Sequence, residues 1–344
     1  MFNVDPQARP QEIVFVLVPD FSMMAFTASI EPLRAANRLS GEGLFHWRVF
    51  SPDGEPISAS NGVTVSPDAG LEDCPGAAAI FVCAGVRAET YRNPNLDAWL
   101  RRMASRGVTI GGVCTGPLLL ARAGLLDGHR CTIHWENVES FAEEFPALDI
   151  TATLFEIDRR RCTCSGGTAP LDMMINLIAA DYGRELAQTV AEQMLHTFVR
   201  HPYDAQRMSF QHRTGISDPK VLAAVATMEA LLEHPVSIED LANGVGVSAR
   251  QLERLFRGKL GKSPARYYAE LRLKRARQLL TQTPMPVVQV AVACGFTSAS
   301  HFAKSYRRFY GRSPSDDRAR LHADWPDPVE PPSAVHRAEA RHTL

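Results

Sequence analysis

The chain has 344 residues, of which 45% are hydrophobic and 22% are charged, values typical of a globular protein with room for two domains. No apolar run approaches the roughly eighteen residues that a membrane span requires, which excludes a membrane partner, and the polar N-terminus predicts no secretion signal. Seven cysteines at irregular spacings fit neither a redox nor a zinc pattern. We therefore expect reduced thiols, a cytoplasmic location, no metal and no cofactor.

The net charge of −1 conceals an asymmetry between two parts of the chain. Residues 248–320 contain 16 Lys and Arg but only 4 Asp and Glu, a net charge of +12, so the remainder carries −13. A basic module on an acidic body predicts that nucleic acid contacts one end of the protein. A solvated basic face is the alternative interpretation.

Short apolar runs alternate with helical patterns through the N-terminal half. This alternation predicts an α/β domain over residues 12–200, flavodoxin-like, with a mostly parallel sheet between two layers of helices. The predicted elements are, in chain order, a strand at 13–18, a helix at 24–39, a strand at 77–85, a helix at 95–107, a strand at 108–114, a helix at 116–126, a strand end at 131–135, a helix at 136–145, a hairpin at 149–167, and helices at 169–183 and 185–199.

One turn of this domain has the composition of a nucleophile elbow. Residues 111–128 read GGVCTGPLLLARAGLLDG, and small residues surround Cys114 between a predicted strand and a predicted helix. A cysteine nucleophile must be converted to thiolate by a base, a cation or a helix N-terminus. The helix that begins near Gly116 could supply the last of these.

Weak periodicity predicts a linker at residues 201–219, followed by an all-α domain at 220–318, and a Pro-rich composition predicts a disordered tail at 324–344. The helical domain contains a repeat, because residues 237–264 can be aligned with 286–314. Each copy has a short apolar helix, a turn glycine, an N-cap and a second helix with a basic outer face, which is helix-turn-helix order. A helical protein-binding repeat is the alternative. The matched positions include the glycines Gly246 and Gly295, the caps Ser248 and Thr297, and the core residues Leu252, Phe256, Phe302 and Tyr306.

The segments SPARYYAELRLKRARQLL and VAVACGFTSASHFAKSYRRFYGRSP resemble the DNA-binding domain of AraC/XylS-type transcription regulators. The resemblance implies two recognition helices, at residues 248–257 and 297–306, that enter successive major grooves of double-stranded operator DNA. Residues early in each helix are the candidates for reading bases: Arg250, Gln251 and Arg254 in the first, and Ser298, Ser300, His301 and Lys304 in the second. Lys274, Arg307 and Arg308 are the candidates for holding phosphates.

The N-terminal domain resembles the PfpI-protease and class I glutamine amidotransferase superfamily, with its elbow at Cys114. Together with the C-terminal domain it resembles the GlxA subfamily of regulators, and FSMMAFTASIEPLRAANRLSG and CTIHWENVESF look like the branch that regulates catabolism of carnitine, glycine betaine and related amines. PfpI-type hydrolases place a histidine directly after the cysteine, where this chain has Thr115. We therefore expect no enzyme. A cysteine-dependent hydrolase or deglycase fused to a DNA-binding domain, and a thiol redox sensor that uses Cys114, are the alternatives.

Ligands of open α/β sheets bind beyond the carboxyl ends of the strands, where the elbow lies. An aromatic ring beside a carboxylate suits a cationic amine or a quaternary ammonium group. We expect a small-molecule effector, such as an amine, a quaternary ammonium compound or an amino acid, with RNA polymerase as a further partner and a homodimer as the assembly. The candidate pocket residues are Glu31, Cys114, Thr115, His134, Trp135 and Glu136.

Overall fold

The computed structural model describes residues 10–323, which divide into two compact units between Gly215 and Ile216. The predicted tail at 324–344 lies outside the described residues. The strands of the N-terminal unit are β1 (Gln11–Leu17), β2 (Phe45–Phe50), β3 (Ile57–Ser58), β4 (Thr64–Val65), β5 (Ala79–Cys83), β6 (Thr109–Val113), β7 (Arg130–Cys131), β8 (Asp149–Ile150), β9 (Phe155–Asp158) and β10 (Arg161–Cys164). Its helices are α1 (Met23–Ser40), α2 (Pro94–Ser105), α3 (Gly116–Arg122), α4 (Val138–Glu144), α5 (Ala169–Tyr182), α6 (Arg184–Gln193) and α7 (Phe210–Thr214).

The central sheet has six strands in the order β2-β1-β5-β6-β10-β9. The first five strands are parallel to their neighbours, and β9 pairs antiparallel with β10 at the edge, as the predicted hairpin requires. Strand order that runs outward in both directions from β1 and β5 is the doubly wound arrangement of flavodoxin-like folds. The predicted fold class is confirmed.

Side chains of the central strands alternate between two hydrophobic cores because successive residues of a strand face opposite sides of the sheet. Ile13, Phe15 and Leu17 join the core that α1, α5 and α6 cover, whereas Val14 and Val16 join the core that α2, α3 and α4 cover. All five side chains are fully buried, which explains why β1 is a continuous apolar run without alternation.

Three local predictions for this unit are wrong or incomplete. The edge strand β2 was not predicted, because its sequence FHWRVF carries neither a continuous apolar run nor strict alternation. The segment at 131–135 is not a strand of the central sheet, since β7 has two residues and pairs only with β8. The helix predicted at 185–199 ends at Gln193. Leu195, just beyond it, has a left-handed φ of 54°.

The predicted linker is also ordered differently from the expectation. Its first part packs on the N-terminal unit: Leu154 N donates to Pro202 O at 2.9 Å, and Thr153 forms an isolated bridge with Ala205. The short helix α7 follows, with Ser209 as its N-cap. We refer to residues 201–207 as the strap.

The C-terminal unit is helical and contains both predicted helix-turn-helix motifs. Leu252, Phe256, Phe302 and Tyr306 are fully buried, as the repeat predicts for its core positions. The helices before and after the repeat were not predicted. In chain order the helices are α8 (Pro219–Ala230), α9 (Ile238–Gly244), α10 (Ala249–Leu260), α11 (Pro264–Gln282), α12 (Val287–Ala293), α13 (Ala299–Tyr310) and α14 (Pro314–Ala323).

The N-cap of the second recognition helix differs from the predicted residue by one position. Ser248 caps α10, with Gln251 completing a capping box, but α13 is capped by Ser298, whose hydroxyl accepts from His301 N at 3.3 Å. Thr297 therefore belongs to the turn, and the residue inserted in the second copy lies before the cap. A serine hydroxyl in this position satisfies an amide that the helix leaves unpaired.

Candidate functional site

The predicted elbow is present, and its small residues each have a packing reason. β6 ends at Val113, Cys114 adopts a left-handed φ of 61°, and α3 begins at Gly116. A Cβ on Gly116 would lie 2.1 Å from Val82 O, so the helix could not approach the sheet. A Cβ on Gly166, the residue that faces the elbow, would lie 2.8 Å from Cys114 Cβ. The glycines thus allow backbone and thiol to pack closely.

Three residues with left-handed backbone conformations lie at the carboxyl edge of the central sheet. Asp20, Arg87 and Cys114 have φ values of 60°, 63° and 61°, and they lie in the turns that follow β1, β5 and β6. Arg87 Nε donates to Asp20 Oδ2 at 2.9 Å, and Thr115 Oγ1 donates to Gly85 O at 2.7 Å. Strained non-glycine residues concentrate at functional sites, so this edge is the candidate site of the N-terminal unit.

The environment of Cys114 disfavours the thiolate. The side chain is only 9% exposed, and burial raises the pKa of Cys114 to about 12, while the Thr115 amide lowers it slightly and the Glu136 carboxylate raises it further. Burial also lowers the pKa of His134. His134 contacts the elbow through its backbone, since His134 N donates to Cys114 O at 3.2 Å. Within residues 10–323 no hydrogen bond joins the thiol to an imidazole.

The residues around the elbow bring together most of the predicted pocket. Beyond His134, the ring of Trp135 is half-buried with its centroid 5.7 Å from the imidazole centroid, and Glu136 Oε2 lies 3.8 Å from His134 Nδ1. Glu31 is placed differently. Its carboxylate accepts from Arg34 Nε at 2.8 Å and is 45% exposed on α1, and no contact among the described residues connects it with the elbow.

The strap supplies a partner for Trp135 that the sequence did not reveal. The Arg207 guanidinium carbon lies 4.3 Å from the centroid of the Trp135 ring, within cation–π distance. Gln206 Nε2 donates to Ile133 O at 3.0 Å, to Thr132 Oγ1 at 3.0 Å and to Thr153 O at 2.7 Å. The strap is therefore fixed to the segment that carries His134 and Trp135.

The basic residues of the C-terminal unit include two contrasting groups. One group stabilises the fold: Arg272 donates to Cys294 O and Gly295 O, and Arg277 and Arg312 pair with the fully buried Asp317. The other group is exposed and makes no ion pair within the described part of the chain. It comprises the predicted DNA contacts Arg250, Arg254, Lys274, Lys304, Arg307 and Arg308.

The predicted base-reading positions lie on corresponding faces of α10 and α13. With Ser248 aligned on Ser298, Arg254 corresponds to Lys304, Arg250 to Ser300, and Gln251 to His301. All of them are exposed. Gln251 has a local role as well, because its Oε1 accepts from Ser248 N at 2.9 Å in the capping box.

Comparison with known proteins agrees with this division. A model of the DJ-1/PfpI family matches residues 11–180, and a helix-turn-helix domain model matches residues 241–320. The HTH-type transcriptional regulator GbdR of Pseudomonas aeruginosa is 46% identical over 317 residues, which cover 92% of this chain and 86% of that protein. The chain belongs to the AraC-type transcriptional regulators with an N-terminal DJ-1/PfpI domain. It is a DNA-binding transcription regulator.

Two other HTH-type transcriptional regulators match with similar coverage. The HTH-type transcriptional regulator CdhR of Pseudomonas aeruginosa is 45% identical over 325 residues, 94% of this chain and 95% of that protein. The regulator GlxA of Rhizobium meliloti is 37% identical over 311 residues, covering 90% and 96%. A crystal structure of an AraC family transcriptional regulator from Pseudomonas putida superposes with a TM-score of 0.51 and 31% identity, covering 54% of this chain and all of that chain. Among residues 10–323, no helix is long and apolar enough to cross a membrane.

Proposed function

We propose that the N-terminal unit of this regulator binds a small metabolite with a positively charged group at the carboxyl edge of the central sheet, and that binding changes how the C-terminal unit engages operator DNA. The metabolite is an amine, a quaternary ammonium compound or an amino acid. The observation that carries the proposal is the face of Trp135, which already holds a guanidinium. Glu136, the next residue in the chain, has its carboxylate 3.8 Å from His134 Nδ1.

The chemistry of the edge favours binding over catalysis. Aromatic faces attract ammonium and quaternary ammonium groups through the ring quadrupole, and a nearby carboxylate adds attraction for the positive charge. Cys114 would line this site as a neutral, weakly polar group, because its high pKa keeps the thiol protonated near neutral pH. Arg87, at the same edge, offers a cation that suits the carboxylate of an amino acid or a betaine.

The C-terminal unit is proposed to bind DNA through α10 and α13. Arg254 and Lys304 would read base edges from equivalent positions, and Arg307, Arg308 and Lys274 would hold phosphates. The regulator would act on RNA polymerase as a homodimer. Two apolar side chains just after α6 support a contact between copies, since Leu195 and Phe198 are 87% and 71% exposed.

Calorimetric titration of the full-length protein tests the effector class. The probes are choline, glycine betaine and 3,3-dimethylbutan-1-ol, the neutral isostere of choline. We expect at least one of the two quaternary ammonium probes to bind more tightly than the neutral alcohol, because the ring attracts the positively charged group. Trp135→Ala should lose about tenfold or more in affinity, whereas Trp135→Phe, which keeps an aromatic face, should lose less.

Two outcomes contradict the proposal. The first is tighter binding of the neutral alcohol than of both quaternary ammonium probes, which would indicate an apolar site. The second is unchanged affinity of Trp135→Ala for the quaternary ammonium probe that wild type binds, which would place the site elsewhere. Trp47→Phe, a change in the edge strand β2, is the matched control for the loss of an indole and should leave binding unchanged.

A further inference from the structure

The face of Trp135 is occupied by a cation that belongs to the protein itself. Arg207 is exposed to solvent, and its guanidinium carbon is 4.3 Å from the ring centroid. This residue lies 72 positions from Trp135 in the chain and reaches the ring only because the strap folds back onto the N-terminal unit. The same ring face is the one that the proposed function assigns to the positive group of the effector.

The strap fixes the backbone on the N-terminal side of Arg207. Before Arg207, Pro202 O and the three hydrogen bonds of Gln206 fix the backbone to the segments around Ile133 and Thr153. After Arg207, Met208 is exposed, and the short helix α7 leads to Gly215, where the N-terminal unit ends. The Arg207 contact therefore ties Trp135 to the segment that leads out of this unit.

We infer that Arg207 is an internal competitor of the effector: it occupies the aromatic face in the free protein, and a cationic effector expels it and releases residues 207–215. Two positive groups cannot share one ring face, because they repel each other and need the same space. The contact is exposed, so water can solvate the expelled guanidinium at little cost. The inference rests on the proposed function and adds the step by which binding reaches the chain leading to the DNA-binding unit.

Consecutive residues of one segment connect the carboxyl edge of the sheet with the strap, so a ligand at the edge can act on the strap. Cys114 O accepts from His134 N, the next residue is Trp135, and the residue before His134 accepts from Gln206. A ligand that moves the Trp135 ring or displaces Arg207 therefore acts on a segment already bonded to the strap.

Arg207→Met tests the competition because methionine keeps an unbranched chain but removes the charge. Titrated with choline in the full-length protein, this variant should bind about two- to fivefold more tightly than wild type, the range expected from one exposed cation–π contact. Arg207→Lys keeps a cation and should stay closer to wild type. Arg213→Met is the matched control, since Arg213 lies over the Phe210 ring, 5.9 Å away, in the same segment.

Hydrogen exchange measures the release directly. Amides of α7 are hydrogen-bonded in the free protein, as Gly215 N is to Gln211 O at 2.8 Å, so we expect them to exchange slowly there. Choline should accelerate exchange at residues 207–215 in wild type, and Arg207→Met should exchange at the faster rate before choline is added. Together the two measurements separate a competitor from an arginine that merely stabilises the site, because loss of a stabilising residue would weaken choline binding.

The results distinguish failure of the inference from failure of the proposed function. Weaker or unchanged choline affinity in Arg207→Met, or slower exchange at residues 207–215 on binding, overturns the inference. The proposed function survives that result if wild type binds choline and Trp135→Ala does not. If wild type binds neither choline nor glycine betaine, both are overturned together.

Discussion

Alkylation of Cys114 should be slow at neutral pH and should accelerate steadily in alkaline solution. Only the thiolate reacts with iodoacetamide, and burial raises the pKa of this thiol from 9.0 to about 12. At pH 7.5 a thiol of ordinary pKa is a few per cent ionised, whereas one with a pKa of about 12 is ionised about a thousandfold less. The rate at Cys114 should therefore rise about tenfold for each pH unit up to at least pH 10.

The assay is iodoacetamide labelling of the native protein from pH 6.5 to 10, with each cysteine-containing peptide quantified by mass spectrometry. Cys74 is a control within the same chain, because burial raises its pKa only to about 11 and it should ionise about tenfold more at any given pH. A second control is the unfolded protein, which reports the ordinary thiol. Labelling of Cys114 that saturates near pH 7, or outpaces the unfolded chain, would refute the reasoning and revive the hydrolase and redox-sensor alternatives.

Three further expectations concern other parts of the molecule. Arg254→Ala should lose about 1–3 kcal/mol of discrimination at one base position, while Arg307→Ala should weaken all sequences alike and flatten the salt dependence; titrations on specific and scrambled operators check this. Gly295→Ala should destabilise the helical unit by about 3 kcal/mol, since a Cβ there would lie 2.7 Å from a backbone carbonyl oxygen. Gly246→Ala has open space around the Cβ and should cost about 1–2 kcal/mol, which is the strain of the left-handed backbone alone. Denaturant unfolding of both variants measures the difference. Cys114→Ala should keep effector affinity within about tenfold of wild type, measured by calorimetry, because an unactivated thiol acts as a packing residue.

The sequence predicts what depends on local repetition. β1 from Ile13 onward and β5 are apolar on both faces, so each appears as an uninterrupted apolar run whatever the rest of the chain does. The elbow is recognisable because close approach of strand and helix leaves no room for side chains at Gly112 and Gly116. The two helix-turn-helix copies support each other's assignment, because the core and turn positions of one copy recur in the other.

Contacts between distant segments could not be predicted in this way. The pair of Trp135 and Arg207 has no periodic signal, because the strap is irregular and its order comes from side-chain hydrogen bonds such as those of Gln206. Charge counting had a related limit. It cannot distinguish an arginine that caps carbonyl groups, such as Arg272, from one that faces solvent, such as Arg254.

The energy of one cation exchange limits how strongly such a switch can act. An exposed cation–π contact contributes about 0.5–1 kcal/mol, whereas shifting a two-state population from 1:99 to 99:1 requires about 5.5 kcal/mol of differential binding. Choline, which can only replace Arg207 on the Trp135 ring, should therefore shift hydrogen exchange of residues 207–215 a few-fold at most. A larger shift needs a second contact made only in the released state.

Arg87 is the group at the same edge that can provide this contact, because a charged hydrogen bond to a carboxylate contributes about 1.5–3 kcal/mol. Asp20 pairs with this guanidinium in the free protein, so a ligand carboxylate that replaces Asp20 gains only the difference between two such contacts, which is smaller than that range. Glycine betaine should then release residues 207–215 more completely than choline at equal saturation, and Arg87→Met should reduce glycine betaine to the choline level. A greater effect of choline, measured by hydrogen exchange, would show that the carboxylate has no part in the switch.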